Sequence, residues 1–448
     1  MRARSPASGT YRVSEVRTAA VPRPRVNARF AARDLWPLAG WAGLVIAGDV
    51  IGAALVGDDP RVHLSAPPLV GGFDVRLSPR VLPVLALAAA AVAWSPRLAQ
   101  RLSWRALLAA CLAAAIAWPV LLAATDGPSH LPAPLETRYE YLADVPRVGD
   151  PAAFLAHFVE DLPDYRTHVK GHPPGLLLAL AQLDRIGIGG GVAALVLVLA
   201  SAALAPAGAL VATRELASEA HARRAAPFLV FAPAAVWIAT SADALFAGVA
   251  ATGIALFAAA TSRSPPAMHA LAFGSGVLLG TALHLSYGIA ALAPLVLLIA
   301  AYRSALVALL VMAAGVAAVM LAFGAAGFWW WEGLHATQQV YVSGVAAVRP
   351  RAPFAIISLA AFALALGPAV AVGLARLRGR AWVLPAGALL AVAAATASGL
   401  SRGETERIWL PFAPWLLVSA AALPRPRLWL TLQIAVALAV QLGVRSPW

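Results

Sequence analysis

The chain has 448 residues, of which 61% are hydrophobic and 12% are charged, and its mean hydropathy is +0.77. Because a soluble domain carries about 25% charged residues, this composition excludes a soluble protein and predicts an all-α polytopic membrane protein. The net charge of +13 lies mainly in short basic segments between apolar runs, a pattern typical of topology signals and not of a nucleic-acid partner. The single cysteine, Cys111, excludes a disulfide framework and a cysteine-based metal site.

The N-terminal segment 1–34 contains eight arginines and three prolines but no apolar run. This composition predicts a disordered, basic cytoplasmic tail that lies near anionic lipid. It does not resemble a signal peptide, because no apolar core follows the first residues.

Apolar runs rich in Ala, Leu and Val fill most of the remaining chain, and their continuity favours helices over the alternating strands of a barrel. We predict about thirteen spanning helices, with 268–302 either a pair or one broken helix. The predicted spans are 36–56, 81–95, 105–124, 188–212, 225–240, 243–261, 268–286, 288–302, 304–326, 353–375, 381–399, 408–424 and 428–444. They separate N-terminal transmembrane helices (35–124) from an outer loop (125–187) and a second transmembrane domain (188–448).

The distribution of charge indicates the topology. With the N-terminus inside and alternating spans, the inner segments hold 21 of the 34 basic residues and four acidic residues. The outer segments hold the other 13 basic residues and 16 of the 21 acidic residues. This excess of inner positive charge predicts a cytoplasmic N-terminus and places the polar loops on the outer face of the plasma membrane.

The outer loop contains apolar residues at helical spacing between charges, which predicts short amphipathic helices in the lipid interface. Asp150-Pro151 is typical of a helix start, with proline at the first helical position. The segment 175–186 is too short to span a bilayer, so we expect it to lie in or dip into the outer interface.

Glu136 and Glu140 are four residues apart and would share one face of a helix. Two close carboxylates raise each other's pKa, so one of them could act as a general base near neutral pH. Arg138 and Tyr139, between them, are further pocket candidates. The alternative is a solvated acidic helix face.

Three basic side chains close the loop at alternate positions: His168, Lys170 and His172. This spacing fits an extended segment that presents all three on one side, and Pro173 keeps His172 out of helical geometry. A positive cluster at the lipid interface suits a phosphate group. A zinc site formed by both histidines and a carboxylate is the competing interpretation, although Lys170 between the ligands argues against it.

Later segments add further polar residues on the same predicted face. Arg407 lies at the membrane edge after Glu404 and Glu406, and its guanidinium could bind a phosphate or serve as an interfacial anchor. Asp243 lies at the outer start of a helix, where an acid also needs no function. Asp49 is the candidate charge within a membrane span.

These motifs resemble, in order, those of the GT-C membrane glycosyltransferases, in particular the branch of protein mannosyltransferases and lipid A aminoarabinose transferases. Leu135 stands where the family has the first acid of a pair, and two additional helices precede the helix before the loop. The motifs are Glu136-Thr137-Arg138-Tyr139, Gly149-Asp150, His172-Pro173-Pro174, Ser241-Ala242-Asp243, and Glu406-Arg407 with Pro411 and Pro414.

The resemblance implies a sugar donor on a polyprenyl phosphate and an acceptor that is a glycan, a lipoglycan or a protein of the cell envelope. Glu136, alone or with Glu140, would deprotonate an acceptor hydroxyl, which attacks the anomeric carbon with inversion. Lys170, His172 and Arg407 would stabilise the departing lipid phosphate. The resemblance allows a divalent cation, but these residues do not require one.

Two other classes of function stay open at this point. A secondary transporter or a lipid or glycolipid flippase would show inverted repeats and several charges at mid-membrane. A non-catalytic scaffold for envelope assembly would not need acids and bases to converge on one outer pocket. The Ala- and Arg-rich composition with one lysine indicates a GC-rich bacterial genome.

Overall fold

The computed structural model describes residues 32–446, and the predicted N-terminal tail lies outside these residues except for its last three positions. Those three positions already belong to the first helix. Within 32–446, nine helices are long and apolar enough to cross a membrane, or ten if one bent pair counts as a single span. The all-α polytopic class is therefore confirmed, and the count of about thirteen stays a prediction.

The N-terminal part consists of long helices and one short β-ladder. Its helices are α1 (Ala32–Asp58), α2 (Val81–Arg101) and α3 (Trp104–Ala123). Strand β1 (Gly72–Phe73) pairs in antiparallel fashion with β2 (Val444–Arg445), Gly72 opposite Arg445, so the first loop is fixed to the C-terminal segment. At the start of α1, Asp34 forms a 2.6 Å ion pair with Arg376, which places its first turn against a later helix.

The outer loop contains many short helical segments, as its periodicity predicts. The segments are the 3₁₀ turns Ala124–Asp126, Pro128–His130, Ala133–Glu136, Tyr141–Arg147 and Leu162–Asp164, and the helices α4 (Pro151–His157), α5 (Thr167–Lys170) and α6 (Gly175–Arg185). The Asp150 carboxylate accepts a 2.8 Å hydrogen bond from the Ala153 amide, so the predicted helix start is confirmed. Helix α6 is a separate 11-residue helix, too short to span.

Among the described residues, the second transmembrane part consists of fourteen α-helices, and three 3₁₀ segments interrupt predicted spans: Pro233–Trp237, Tyr287–Leu292 and Val418–Ala422. The helices are α7 (Gly190–Ala202), α8 (Leu204–Leu216), α9 (Glu219–Val230), α10 (Ala242–Ala260), α11 (Ala267–Leu285), α12 (Ala293–Arg303), α13 (Leu306–Ala325), α14 (Trp330–Ser343), α15 (Arg351–Leu366), α16 (Pro368–Arg376), α17 (Val383–Ser398), α18 (Thr405–Ile408), α19 (Ala413–Leu417) and α20 (Pro426–Gly443), fourteen in all with α18 and α19 a single turn each. Helix α10 is the most enclosed spanning helix among them.

Three predicted continuous spans are wrong in detail. The spans 225–240, 288–302 and 408–424 are each divided into shorter helices and 3₁₀ turns. In the first, α9 ends at Val230 and a 3₁₀ turn begins at Pro233, because proline has no N–H to continue the helical ladder. The predicted span 353–375 is the bent pair α15–α16, with an angle of 89° at the break.

The break between α15 and α16 occurs at Gly367, whose φ of +77° favours glycine, and at Pro368. The Gln433 side chain satisfies the backbone groups that the break frees. Its Oε1 accepts a 3.2 Å bond from the Ala369 amide, and its Nε2 donates a 2.8 Å bond to the Leu366 carbonyl. A bend inside a membrane protein requires such partners, because lipid offers none.

Close helix packing depends on small residues where α11 crosses α13. A Cβ added at Gly276 would lie 2.9 Å from the Gly315 Cα, so the two backbones approach as closely as they can. Helices in lipid lack a hydrophobic driving force for association, and such close packing is one of the forces that replaces it.

Basic connections between helices meet at one end of the helical body. Arg223 donates to the carbonyls of Ala99 and Leu102 at the α2–α3 turn. Arg263, after α10, forms a 3.1 Å ion pair with Glu215 at the end of α8. The start of α10 lies at the opposite end, where the outer loop and the segment before α18 meet. The structure therefore separates the two groups of loops as the charge pattern predicts.

Candidate functional site

Arg407 joins three segments that are far apart in sequence. Its Nη1 donates to Asp243 Oδ2 at 2.7 Å, and its Nη2 donates to Glu404 Oε2 at 2.5 Å and to His168 Nε2 at 3.1 Å. Arg407 is 5% exposed, and Asp243 is 2% exposed. Buried charges are stable only when they are paired and hydrogen-bonded, so these contacts define a built polar centre.

Glu140 is the outer-loop acid that reaches this centre. Its Oε1 lies 2.7 Å from His168 Nδ1, and the residue is 4% exposed. Because His168 Nε2 accepts a hydrogen bond from Arg407, it carries no proton, and the proton of the neutral ring lies on Nδ1 facing Glu140. His168 thus links the Glu140 carboxylate to the Arg407 guanidinium.

Local backbone contacts bring Glu140 and His168 together. The His168 amide donates to the Tyr139 carbonyl at 3.1 Å. The buried Asp144 carboxylate accepts a 2.6 Å bond from the Arg166 amide. These bonds hold the two ends of the outer loop side by side, which sequence spacing does not reveal.

Asp243 is fixed at the first turn of α10. The Ser241 side chain caps this helix, accepting from the Asp243 amide at 3.1 Å and donating to Asp243 Oδ2 at 2.8 Å. The Ser-Ala-Asp motif therefore serves as a cap and orients the carboxylate toward Arg407.

Glu404 has a left-handed backbone conformation, with a φ of +60° and Gly403 before it at +89°. Non-glycine residues in this region cost of order 1–3 kcal/mol and are common at functional sites. Arg349, which belongs to a different segment, stabilises this turn. Its Nη1 donates to the Arg402 carbonyl at 2.7 Å and lies 3.7 Å from Glu404 Oε1. The Thr405 hydroxyl donates to the Ser358 carbonyl at 2.7 Å.

The charges of the centre reinforce one another. Burial raises the pKa of Glu404, but the charges of Arg407 and Arg349 outweigh it and hold that pKa below its usual range. Burial lowers the pKa of Arg407, but the carboxylates of Glu404, Asp243 and Glu140 outweigh burial and hold that pKa above its usual range. The carboxyl groups of Glu140, Asp243 and Glu404 and the guanidiniums of Arg407 and Arg349 are thus brought together at one place in the fold.

His172 lies beside the centre as a neutral side chain. Its Nδ1 donates to the His168 carbonyl at 2.7 Å, and its ring lies 5.4 Å from the Phe246 ring. Burial lowers the pKa of His172 from an ordinary value of about 6.5, so the ring is uncharged at pH 7. The predicted extended segment is also wrong, because His168 and Lys170 belong to the helical turn α5.

Lys170 is half-buried, and no carboxylate of residues 32–446 lies within ion-pair distance of it. Its charge is therefore available to an anion.

Glu136 does not join Glu140. Glu136 ends a 3₁₀ turn and Glu140 precedes the next one, so the predicted shared helix face does not form. Glu136 is exposed, and a Cβ added at Gly191 would overlap its carboxylate, which thus lies over the N-terminus of α7. An acid at that position complements the helix dipole.

Arg138 and Tyr139 also lie outside the buried centre. Both are exposed, and the Arg138 guanidinium donates to the Tyr139 hydroxyl at 2.6 Å. The carbon of the guanidinium lies 4.9 Å from the centroid of the tyrosine ring.

Glu406 lies on another side of α18. The residue is fully buried, and neither carboxylate oxygen has a hydrogen bond of good geometry to any described group. Burial raises its pKa to about 7, although its own amide and that of Val70 lower it. It is a carboxyl group that holds a proton near neutral pH.

A small apolar cleft lies beside Glu140. Glu140 and Tyr141 are its polar lining residues. The sequence does not single out Tyr141, because an aromatic residue beside an acid gives no signal of its own. The apolar lining is formed by Leu135, Leu142, Leu176, Leu180, Ala194, Leu197, Val198, Ala242 and Leu245.

The zinc interpretation does not fit the geometry. In the described part of the chain, no three His, Cys, Asp or Glu side chains are arranged to hold a metal ion. Both ring nitrogens of His168 are already bonded, to Glu140 and Arg407.

Neither a protein-family model, nor a curated protein, nor a solved structure matches the chain.

Proposed function

We propose that the protein is an integral membrane glycosyltransferase that moves a sugar from a polyprenyl phosphate to a hydroxyl of a cell-envelope acceptor on the outer face of the membrane. One observation carries this proposal: in the buried centre of Glu140, His168, Arg407, Asp243 and Glu404, the residue Glu140 also lines an apolar cleft. A lipid-linked polar substrate combines the same two chemistries.

Glu140 is the general base in this proposal. It lines the cleft, and the neighbouring His168 fixes the orientation of its carboxylate. The acceptor hydroxyl gives its proton to Glu140 while its oxygen attacks the anomeric carbon from the face opposite the phosphate. The bond between the anomeric carbon and the phosphate oxygen breaks, and that oxygen leaves with the electron pair. The sugar configuration is inverted.

Lys170 supplies the main positive charge for the departing phosphate, because Arg407 is already shared between Asp243 and Glu404. His172 contributes a neutral ring and Arg407 a fixed guanidinium that orients the acids. Stabilising negative charge as it develops is the largest contribution that such groups make to catalysis.

The test is sugar transfer by the purified protein from a panel of polyprenyl-phosphate sugars. We expect Glu140→Gln to lower kcat by about a hundredfold or more, because it removes the base. The matched control is Glu136→Gln, an identical change at an exposed acid of the same loop, which should stay within about twofold of wild type. Equal losses in both variants, or none in Glu140→Gln, would reject Glu140 as the base.

A secondary transporter or lipid flippase is the second candidate, and the bent pair α15–α16 favours it, since transporters use discontinuous helices. Gln433 closes that break internally, which is the arrangement of a structural bend. Absence of transfer with every donor, together with lipid or solute flux in proteoliposomes, would replace the glycosyltransferase by the transporter.

A further inference from the structure

Tyr141 is a buried residue that the mechanism above does not use. It lines the apolar cleft beside Glu140, and its ring lies 5.9 Å from the His172 ring. The residue is 3% exposed, but its hydroxyl has no hydrogen-bond partner among the described residues. Buried hydroxyl groups are almost always paired, so this one needs an explanation.

The acids near Tyr141 are already engaged with other donors. Glu140 accepts a hydrogen bond from His168, and Asp243 accepts hydrogen bonds from Ser241 and Arg407. The Tyr141 phenol therefore lies beside the polar centre but forms no hydrogen bond that stabilises it. Such a group is well placed to contact a substrate.

The hydroxyl keeps its proton throughout the physiological range. Burial raises the pKa of Tyr141 well above its usual value, and the negative charges of Glu140 and Asp243 raise it further. Tyr141 can therefore donate a hydrogen bond, while a Glu140 carboxylate that acts as a base can only accept one.

We propose that Tyr141 binds the acceptor substrate by donating a hydrogen bond to the same hydroxyl oxygen whose proton Glu140 takes. The inference rests on the proposed function, since it needs an acceptor hydroxyl in the cleft. A hydroxyl accepts and donates at once, so it fits between a phenol and a carboxylate. An ammonium has no lone pair for Tyr141, and a carboxylate has no proton for Glu140. The pair thus selects hydroxyl acceptors.

The test is Tyr141→Phe, which removes only the hydroxyl. We expect KM for the acceptor to rise about tenfold, because one hydrogen bond to the substrate is lost, while KM for the polyprenyl-phosphate sugar stays unchanged. The melting temperature of the purified protein without substrate should stay equal or rise, because a buried unpaired group has been removed.

Tyr165→Phe is the matched control, because Tyr165 lies in the same loop, stacks on Phe158 at 5.3 Å and does not line the cleft. It should keep both KM values. An acceptor KM within twofold of wild type in Tyr141→Phe, or a melting temperature several degrees lower, would overturn the role of Tyr141 alone. A wild type that transfers no sugar would overturn the proposed function and this inference together.

Discussion

Arg407 keeps its charge in a buried position because two carboxylates and an imidazole nitrogen surround its guanidinium. Removing one partner of such a buried pair typically costs about 3–5 kcal/mol, since it leaves a charge uncompensated. The centre is therefore a unit in which the orientation of its side chains and the stability of the fold depend on the same contacts. His168 belongs to this unit, because it is bonded on both sides.

Burial distinguishes the two acids that the sequence could not separate. Glu136 and Glu140 have the same chemistry and similar neighbours in the chain. Folding leaves the first exposed over α7 and buries the second against His168. The proposed base is thus assigned by environment, as residue type gives no preference.

Glu406 predicts a pH dependence of stability. Its carboxyl titrates near 4.5 in the unfolded chain and near 7 when folded, so the folded state binds more protons between these values. The stability from the protonated form is complete below pH 4.5 and is lost as pH rises through 7, by about 3 kcal/mol. We expect the melting temperature of wild type to fall between pH 5 and 8 relative to that of Glu406→Gln.

The difference in melting temperature between wild type and Glu406→Gln reports the titration of Glu406 alone. The lowered pKa of His172 makes stability rise with pH, but it does so equally in both proteins. Glu136→Gln, at an exposed acid, should keep the wild-type profile. Parallel curves for wild type and Glu406→Gln would show that Glu406 is ionised at no cost in the folded protein.

At the scale of helices, breaks are placed by particular residues and are stabilised by others. Gly367 and Pro368 end α15, and proline at position 233 follows the end of α9. Each interruption exposes backbone groups that lipid cannot satisfy. The hydrophobic pattern is continuous through these positions and predicts one long helix in each case. The glycine and proline residues divide each predicted helix into two shorter segments.

Gln433 gives a prediction for the bent pair. Gln433→Leu leaves the Ala369 amide and the Leu366 carbonyl without their partner, and we expect it to lower the free energy of unfolding by about 2–4 kcal/mol. The measurement is the melting temperature in detergent. Gln441→Leu is the control, because it removes one 3.2 Å bond to Thr125 and should cost less. Equal melting temperatures for Gln433→Leu and wild type would mean that the break does not depend on Gln433.

Across the whole molecule, the outer loop, Asp243 and the 401–407 segment meet at one end, and basic turns meet at the other. The positive-inside rule predicts that the basic end faces the cytoplasm. The proposed site would then face the outside, where a lipid-linked sugar is presented.

Thiol labelling checks this orientation, because the native Cys111 is buried and the chain has no other cysteine. In intact cells, a membrane-impermeant maleimide should label Ser129→Cys, whose position is exposed in the outer loop. Ser262→Cys, exposed at the turn after α10, should react only after permeabilisation. The reverse pattern would invert the topology, and labelling of wild type would show that Cys111 is accessible.

The sequence by itself determined the membrane class, the helical loop and the charge asymmetry, because these depend on composition and on periodicity within single segments. It also pointed to Glu140, His168, Asp243, Glu404 and Arg407 as residues of one face. The tertiary structure decided which of the candidates meet, because Arg407 lies 164 residues after Asp243 in the chain and 2.7 Å from it in the fold. It also decided that His172 is neutral and that Tyr141 lies in the cleft, since burial and pairing are properties of the packed molecule.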